Sequence, residues 1–203
     1  MNRVKTIKND EKFLRQKSVE VNLNDIDLKK DIEILAEFCK DNDVMAMAAV
    51  QLGISKRIIY LKNTNLELIN KKMFNEETEA NKNYNEQKIM INPVIISKEG
   101  LTEYWEACAS CLDNMGLVKR PYKIRVKYLT IDGENKDEIY EGFESTVLSH
   151  EIDHLDGILH IDIADEVIKM NQEDRKIFRQ KHNYKIINKN GNYENLKNNV
   201  ENQ

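Results

Sequence analysis

The chain has 203 residues, enough for one domain with its own core, and 40% of them are hydrophobic. Its 31 basic and 35 acidic residues leave a formal net charge of -4, which gives no support to nucleic acid or an anionic membrane as partner. No run of about 18 apolar residues occurs and the first residues carry no apolar signal core, so no membrane span and a cytoplasmic setting are expected. The three cysteines are odd in number and sparse, so a disulfide framework is not expected. In a reducing setting, a cysteine near a histidine pair reads as metal-binding or catalytic.

Taken in chain order, the first twenty residues are polar with scattered apolar positions and read as an extended arm. Leu28, Ile32, Leu35, Ala36 and Cys39 fall at helical spacing, which predicts an amphipathic helix over 27–41 with Asp25 or Asp27 as cap. Cys39, on its apolar face, reads as a small buried hydrophobe. After the small apolar stretch AMAAVQLGI comes RIIYLK (57–62), a short strand. Residues 63–87 are rich in Asn, Glu and Lys and read as a long exposed loop. IMINPVII (89–96) reads as a strand broken at Asn92-Pro93, and 103–108 as another. YKIRVKYLTIDG (122–133) alternates before a turn at Asp132-Gly133, and DEIYEGF is its hairpin partner.

From Ser145 to Leu155 the pattern turns helical, and Gly157 stands where a helix C-terminus favours glycine. A short helix is predicted over 173–182. One domain is expected over 1–183, followed at 184–203 by a polar tail with almost nothing to bury, expected to be disordered. Strands predominate between two helical regions, which suggests an α+β domain.

The sharpest signal is His150-Glu151-Ile152-Asp153-His154. Two histidines four apart on a helix project from one face and can reach one metal ion. Glu151, next to the first of them, is placed to act as general base toward water at the metal. The bland alternative is a pair of exposed histidines on a helix that packs a core. Only four histidines are present in the chain, which makes a chance pairing at this spacing improbable. A catalytic site needs a third protein ligand, and Cys108 in TEYWEACASCLD is the best candidate. Cys111, three residues on, leaves open a redox pair or a closed site of Cys108, Cys111, His150 and His154. No alternating βα pattern supports the redox reading, and a closed site would leave Glu151 nothing to activate.

Three segments together resemble the peptide deformylases, metal hydrolases that remove the N-formyl group from the N-terminal methionine of new polypeptides. HEIDHLDG (150–157) matches the family's H-E-x-D-H-L-x-G. Glu106-Ala107-Cys108-Ala109-Ser110 resembles E-G-C-x-S, and Ala48-Ala49-Val50-Gln51 the latter half of G-x-G-x-A-A-x-Q. Weaker matches are INP (91–93), VKRP (118–121) and EGF (141–143), so the resemblance covers roughly residues 5–170. It implies a fold of mainly antiparallel strands around a central helix bearing HExxH. It implies Cys108, His150 and His154 as ligands of one divalent ion, Fe2+ in the cell with Zn2+, Ni2+ or Co2+ possible in purified protein. It further implies Glu151 as proton carrier, and Gln51 with the Ala109 N–H as donors to the developing oxyanion. Val44, Met45, Ala46 and Ala107 would border the substrate. Glu106 and Arg120, which read alone suggest a surface ion pair, would hold ligands in place. The implied partners are N-formylated nascent polypeptides at the ribosome.

The chain departs from the pattern at Val44, Ala46 and Ala107, where the family has glycine, and Ser149 stands where it usually has Gln. Cys111 and Leu112 replace an apolar residue and a proline. A glycine can serve positive φ or close approach of a ligand, so an altered cleft is expected with the chemistry kept. Two other readings compete. One is an HExxH zinc peptidase with Glu166 or Glu173 as third ligand; the other is a non-catalytic, deformylase-like peptide-binding protein.

Overall fold

The strand Ile58–Lys62 (β2) explains the architecture. Ile59 and Leu61 point into one buried cluster and Ile58 and Tyr60 into another, so both of its faces are covered. Helix Leu28–Asp41 (α2) covers the second face through Leu28, Ile32, Leu35 and Cys39. Helix Phe143–Leu155 (α3) covers the first through Leu148, Ile152 and Leu155. The computed structural model describes residues 4–62 and 87–201.

One antiparallel sheet runs through the molecule. Ala46–Ala48 (β1) pairs β2, and β2 pairs the long strand Gln87–Ala107 (β3). One part of β3 also pairs Lys123–Leu129 (β5), which forms a hairpin with Asn135–Glu141 (β6). Another pairs Asn114–Arg120 (β4), whose other edge takes Glu166–Lys169 (β7). The chain is therefore α+β, with antiparallel strands around the helix that carries the two histidines. Among the described residues no helix is long and apolar enough to cross a membrane.

Several expectations change. The expected break at Asn92-Pro93 is absorbed: β3 continues, with register shifts between Ile91 and Val94 and between Ile95 and Ser97. Asn92 takes φ 52°, and its side chain accepts from Val21 N (2.8 Å) and donates to Val21 O (3.0 Å), fixing the bulge. The N-terminal arm is not extended throughout. Glu11–Leu14 (α1) is a short helix because Leu14 is wholly buried with Cys108, Cys111 and Leu159. The loop expected over 63–87 lies outside the described residues except for Gln87, which opens β3.

The polar tail expected to be disordered from residue 184 instead forms Lys185–Asn192 (β8), paired with β3 at Glu99–Glu103, and helix Tyr193–Glu201 (α5). Composition misled here, since an edge strand needs mainly backbone partners and a few anchors. Tyr184 and Tyr193 are those anchors. Tyr184, 2% exposed, meets Tyr104 and Phe143 edge-on with ring centroids 6.0 and 5.6 Å away. Replacing Tyr184 with Ala is expected to cost about 3 kcal/mol, or roughly 10 °C in thermal midpoint for a chain of this size. A shift under about 2 °C would mean that β8 unfolds independently.

Candidate metal centre and cleft

The helix α3 sets the site because of how it ends. Gly157 takes φ 75°, its N–H donates to His154 O (3.2 Å), and Ile158 N donates to Asp153 O (2.9 Å). These are the paired bonds of a Schellman stop. A Cβ on Gly157 would lie 2.4 Å from Arg15 O, so the glycine also lets the N-terminal arm pass. The turn before that stop carries His154, and the turn before that His150, on one face. Their rings meet edge-on with centroids 4.9 Å apart.

Cys108 comes from the opposite wall, at the end of β3, where the chain leaves the sheet in a short 3-10 turn. One ligand atom from each of Cys108, His150 and His154 lies within 4.8 Å of the other two. Cys108 Sγ is 3.3 Å from His154 Nε2. Zinc–sulfur and zinc–nitrogen bonds in a tetrahedral site place such atoms roughly 3.5 Å apart, so the donor set fits one transition-metal ion. Among the described residues, neither Cys111, Glu166 nor Glu173 belongs to this group.

Charge supports the same reading. The Cys111 thiol donates to Cys108 and, outweighing burial, helps hold the Cys108 thiol well below its ordinary pKa, with positive charge on His154 adding to it. Ser110 N (3.3 Å) and Gln51 Nε2 (3.2 Å) also donate to that sulfur. Partial removal from water opposes the charged form of His150, yet its bonds to Cys108 and Glu106 pull its pKa well above the usual value. A metal ion at this position would take over the role of that proton. His150 Nδ1 is bonded to Glu106 Oε2 (2.8 Å), leaving Nε2 for the centre. His154 Nδ1 finds no hydrogen-bond partner among the described residues, so that ring is oriented by packing and by the contact of its Nε2 with Cys108 Sγ.

Glu106 and Arg120 do not form the surface ion pair that the sequence alone suggests. They are 5% and 4% exposed, bound in a fork of 2.8 and 3.0 Å, and Arg120 also donates to Asp153. Glu106 would be pushed up by burial, but Arg120 and His150 hold it well below the carboxylate range.

Glu151 lines a cavity beside the three ligand residues, and its Oε2 accepts from Ala48 N (2.8 Å). Burial pushes its carboxyl up, only partly opposed by the two histidines. Gln51 Oε1 accepts from the same N–H (3.1 Å), while Gln51 Nε2 donates to Cys108 Sγ and Ser110 Oγ (both 3.2 Å).

The cavity holds about 280 Å³ and lies between Ala46–Met47 on one side and Ala107–Ala109 on the other, with Val44 and Met45 at its border. A larger groove of about 910 Å³ behind Trp105 contains none of the candidate ligands, so volume does not mark the site here. Val44, Ala46 and Ala107 have no positive φ, so their side chains are tolerated by the backbone and change only the cleft lining. Leu112 does take φ 55°, which a proline cannot adopt and which costs a leucine on the order of 1–3 kcal/mol.

Residues 3–170 match the family model of polypeptide deformylase. The chain belongs to the peptide deformylase family. It is 32% identical over 161 residues to peptide deformylase 2 of Clostridium acetobutylicum, covering 79% of this chain and 94% of that protein. Against the peptide deformylase of Rhizobium meliloti it is 33% identical over 150 residues, covering 73% and 78%. A probable peptide deformylase from Synechococcus phage S-SSM7 superposes with a TM-score of 0.64 at 32% identity, covering 78% of this chain and 97% of that one. A class I type b peptide deformylase from Acinetobacter baumannii bound to Met-Ala-Ser gives 0.62 at 27% identity, covering 78% and 95%. This chain is thus a hydrolase that removes the N-formyl group from N-formyl peptides with a metal cofactor; neither a peptidase nor a non-catalytic reading is favoured.

Sequence reasoning named the residues of this centre but missed two features. Cys111 acts as a donor to Cys108, and Arg179 lines the cavity from a helix beyond residue 170. Nothing local marks Arg179, which stands in a run of ordinary surface residues.

Proposed function

We propose that Cys108, His150 and His154 hold the ion, that Glu151 moves the proton, and that Gln51 and the Ala109 N–H receive the oxyanion. The observation that carries this reading is a buried carboxyl with a raised pKa beside three converging ligand atoms. When bound, the ion supplies Lewis acidity that makes water more acidic and polarises the formyl carbonyl. Glu151 takes a proton from the attacking water and passes it to the departing amine nitrogen. The formyl C–N bond breaks, giving formate and a free N-terminus. Ala48 N–H keeps Glu151 aimed during both transfers. Gln51 already points its amide nitrogen at the centre and needs to turn only one N–H from Ser110 or Cys108 to the substrate oxygen.

Ferrous iron is the ion proposed in the cell; Zn2+, Ni2+ and Co2+ suit the same sulfur and nitrogen donors. Nascent chains emerging from the ribosome in the cytoplasm are the proposed substrates. The Acinetobacter relative solved with Met-Ala-Ser bound supports a cleft that accepts a short peptide. Protein prepared without oxygen, with its metal content measured, is expected to release formate from a formyl-Met peptide. Chelation should abolish release, and adding back Fe2+, Ni2+ or Co2+ should restore it. No release by fully loaded, folded protein would overturn the reading, as would full activity at zero metal content.

A further inference from the structure

We infer that Arg179 is a specificity-determining residue that binds a carboxylate of the substrate peptide, downstream of the formylated methionine. This inference rests on the deformylase reading and goes beyond it, because Arg179 lies outside the matched residues 3–170. It sits in the last turn of helix Gln172–Lys181 (α4). That helix is fixed to the wall of the cleft. Asn171 caps it by accepting from Asp174 N (2.9 Å), and Phe178 meets Trp105 edge-on with ring centroids 5.2 Å apart. Arg175 donates to Met170 O (2.8 Å) and Leu112 O (2.5 Å).

Arg179 is thereby carried to the same cavity that Ala46, Ala107, Cys108 and Glu151 line. Its Nε donates to Trp105 O (3.2 Å), and its guanidinium lies over the Tyr104 ring, 5.3 Å from the centroid. These contacts fix the plane and leave the terminal nitrogens as donors. The chain's buried cations have acidic partners: Arg120 has Glu106, Arg57 has Asp156 and Lys119 has Asp165. No acidic side chain among the described residues pairs with Arg179, which is half-buried. A planar cation held at a cleft without a counter-charge matches a carboxylate, which it can bind through two parallel bonds.

Distance says which part of the peptide it meets. Trp105 stands three residues before Cys108 on an extended strand, roughly 10 Å from it. A substrate with its formyl carbon at the centre and its backbone extended along the cleft reaches that distance at its second or third residue.

The test compares formyl-Met-Ala-Glu-amide with formyl-Met-Ala-Gln-amide, and formyl-Met-Ala with its amide. The parent protein should favour the Glu peptide by about fivefold in kcat/KM, carried by KM, and the preference should shrink as salt rises. Preference within the second pair alone would assign the carboxylate to the peptide's C-terminus in place of a side chain. Arg179→Gln should erase the ratio, Arg179→Lys should keep part of it, and Arg179→Glu should turn it toward formyl-Met-Ala-Lys-amide. A merely structural role would not invert a preference. Dissociation constants for the products Met-Ala-Glu-amide and Met-Ala-Gln-amide, measured by calorimetry, should follow the same order without any turnover. Equal kcat/KM and equal affinities for acidic and neutral peptides in the parent protein would overturn the inference while leaving deformylation intact.

Discussion

Replacing Glu151 with Ala is expected to lower kcat/KM on a formyl-Met peptide by about 10³-fold while metal content and thermal midpoint stay near the parent values. The size follows from its proposed task, in which one carboxyl would serve both proton transfers and about 4 kcal/mol of barrier would be lost with it. The stability forecast follows from the hydrogen bonds. Ala48 N donates to Glu151 Oε2 and also to Gln51 Oε1, so removing the carboxylate leaves no buried N–H without an acceptor. Removing a group that burial has pushed toward its neutral form also relieves some desolvation cost. Glu151 is not among the converging ligand atoms, so the ion should remain. Activity within tenfold of the parent, with a full complement of metal, would mean that another group carries the proton. Loss of metal together with activity would instead make Glu151 a ligand.

How far this centre could be read from the sequence depends on how local each signal is. The spacing of His150 and His154, the neighbouring Glu151 and the stop at Gly157 all sit within eight residues of one helix, and the structure keeps them as read. Cys108 was found by chemistry, as the cysteine in an apolar stretch, and by family resemblance. The strand β2 was legible because both of its faces are buried, which leaves a continuous apolar run.

What could not be read depends on pairing between distant segments. Glu106 and Arg120 are fourteen residues apart, and only the β3–β4 register, with Glu106 opposite Gly116 and Thr102 opposite Arg120, places them on one buried face. The continuation of β3 through Pro93 depends on bulges held by Val21, seventy-one residues from Asn92. The tail failed for a third reason. Its composition is polar on average, while its order rests on β3 and on two tyrosines that an average dilutes. Arg179 is a cleft residue because Phe178 and Arg175 dock its helix against Trp105 and Leu112, contacts between segments more than sixty residues apart.

The largest stability change is expected at Arg120. Arg120→Met keeps most of the side-chain volume but leaves Glu106 buried without its fork and Asp153 without a partner. Breaking one side of such a pair costs about 3–5 kcal/mol, roughly 10–15 °C for a chain of this length. In the parent protein the folded pKa of Glu106 lies below its ordinary value, so its stabilising contribution is present above that ordinary value and lost only as pH falls through the lowered one. In the variant, burial is opposed only by His150, so the penalty should grow as pH rises and the carboxylate is forced to ionise. Metal affinity should fall by about 10- to 100-fold, because Glu106 loses the partner that holds it against His150 Nδ1. The double variant Arg120→Met with Glu106→Gln separates the causes. If an unpaired buried charge is the main cost, the double variant should recover about half of the lost stability, and its pH dependence should flatten. Stability no better than that of Arg120→Met would mean that lost packing and hydrogen bonds dominate, and that the charge pair orients His150 more than it stabilises the fold.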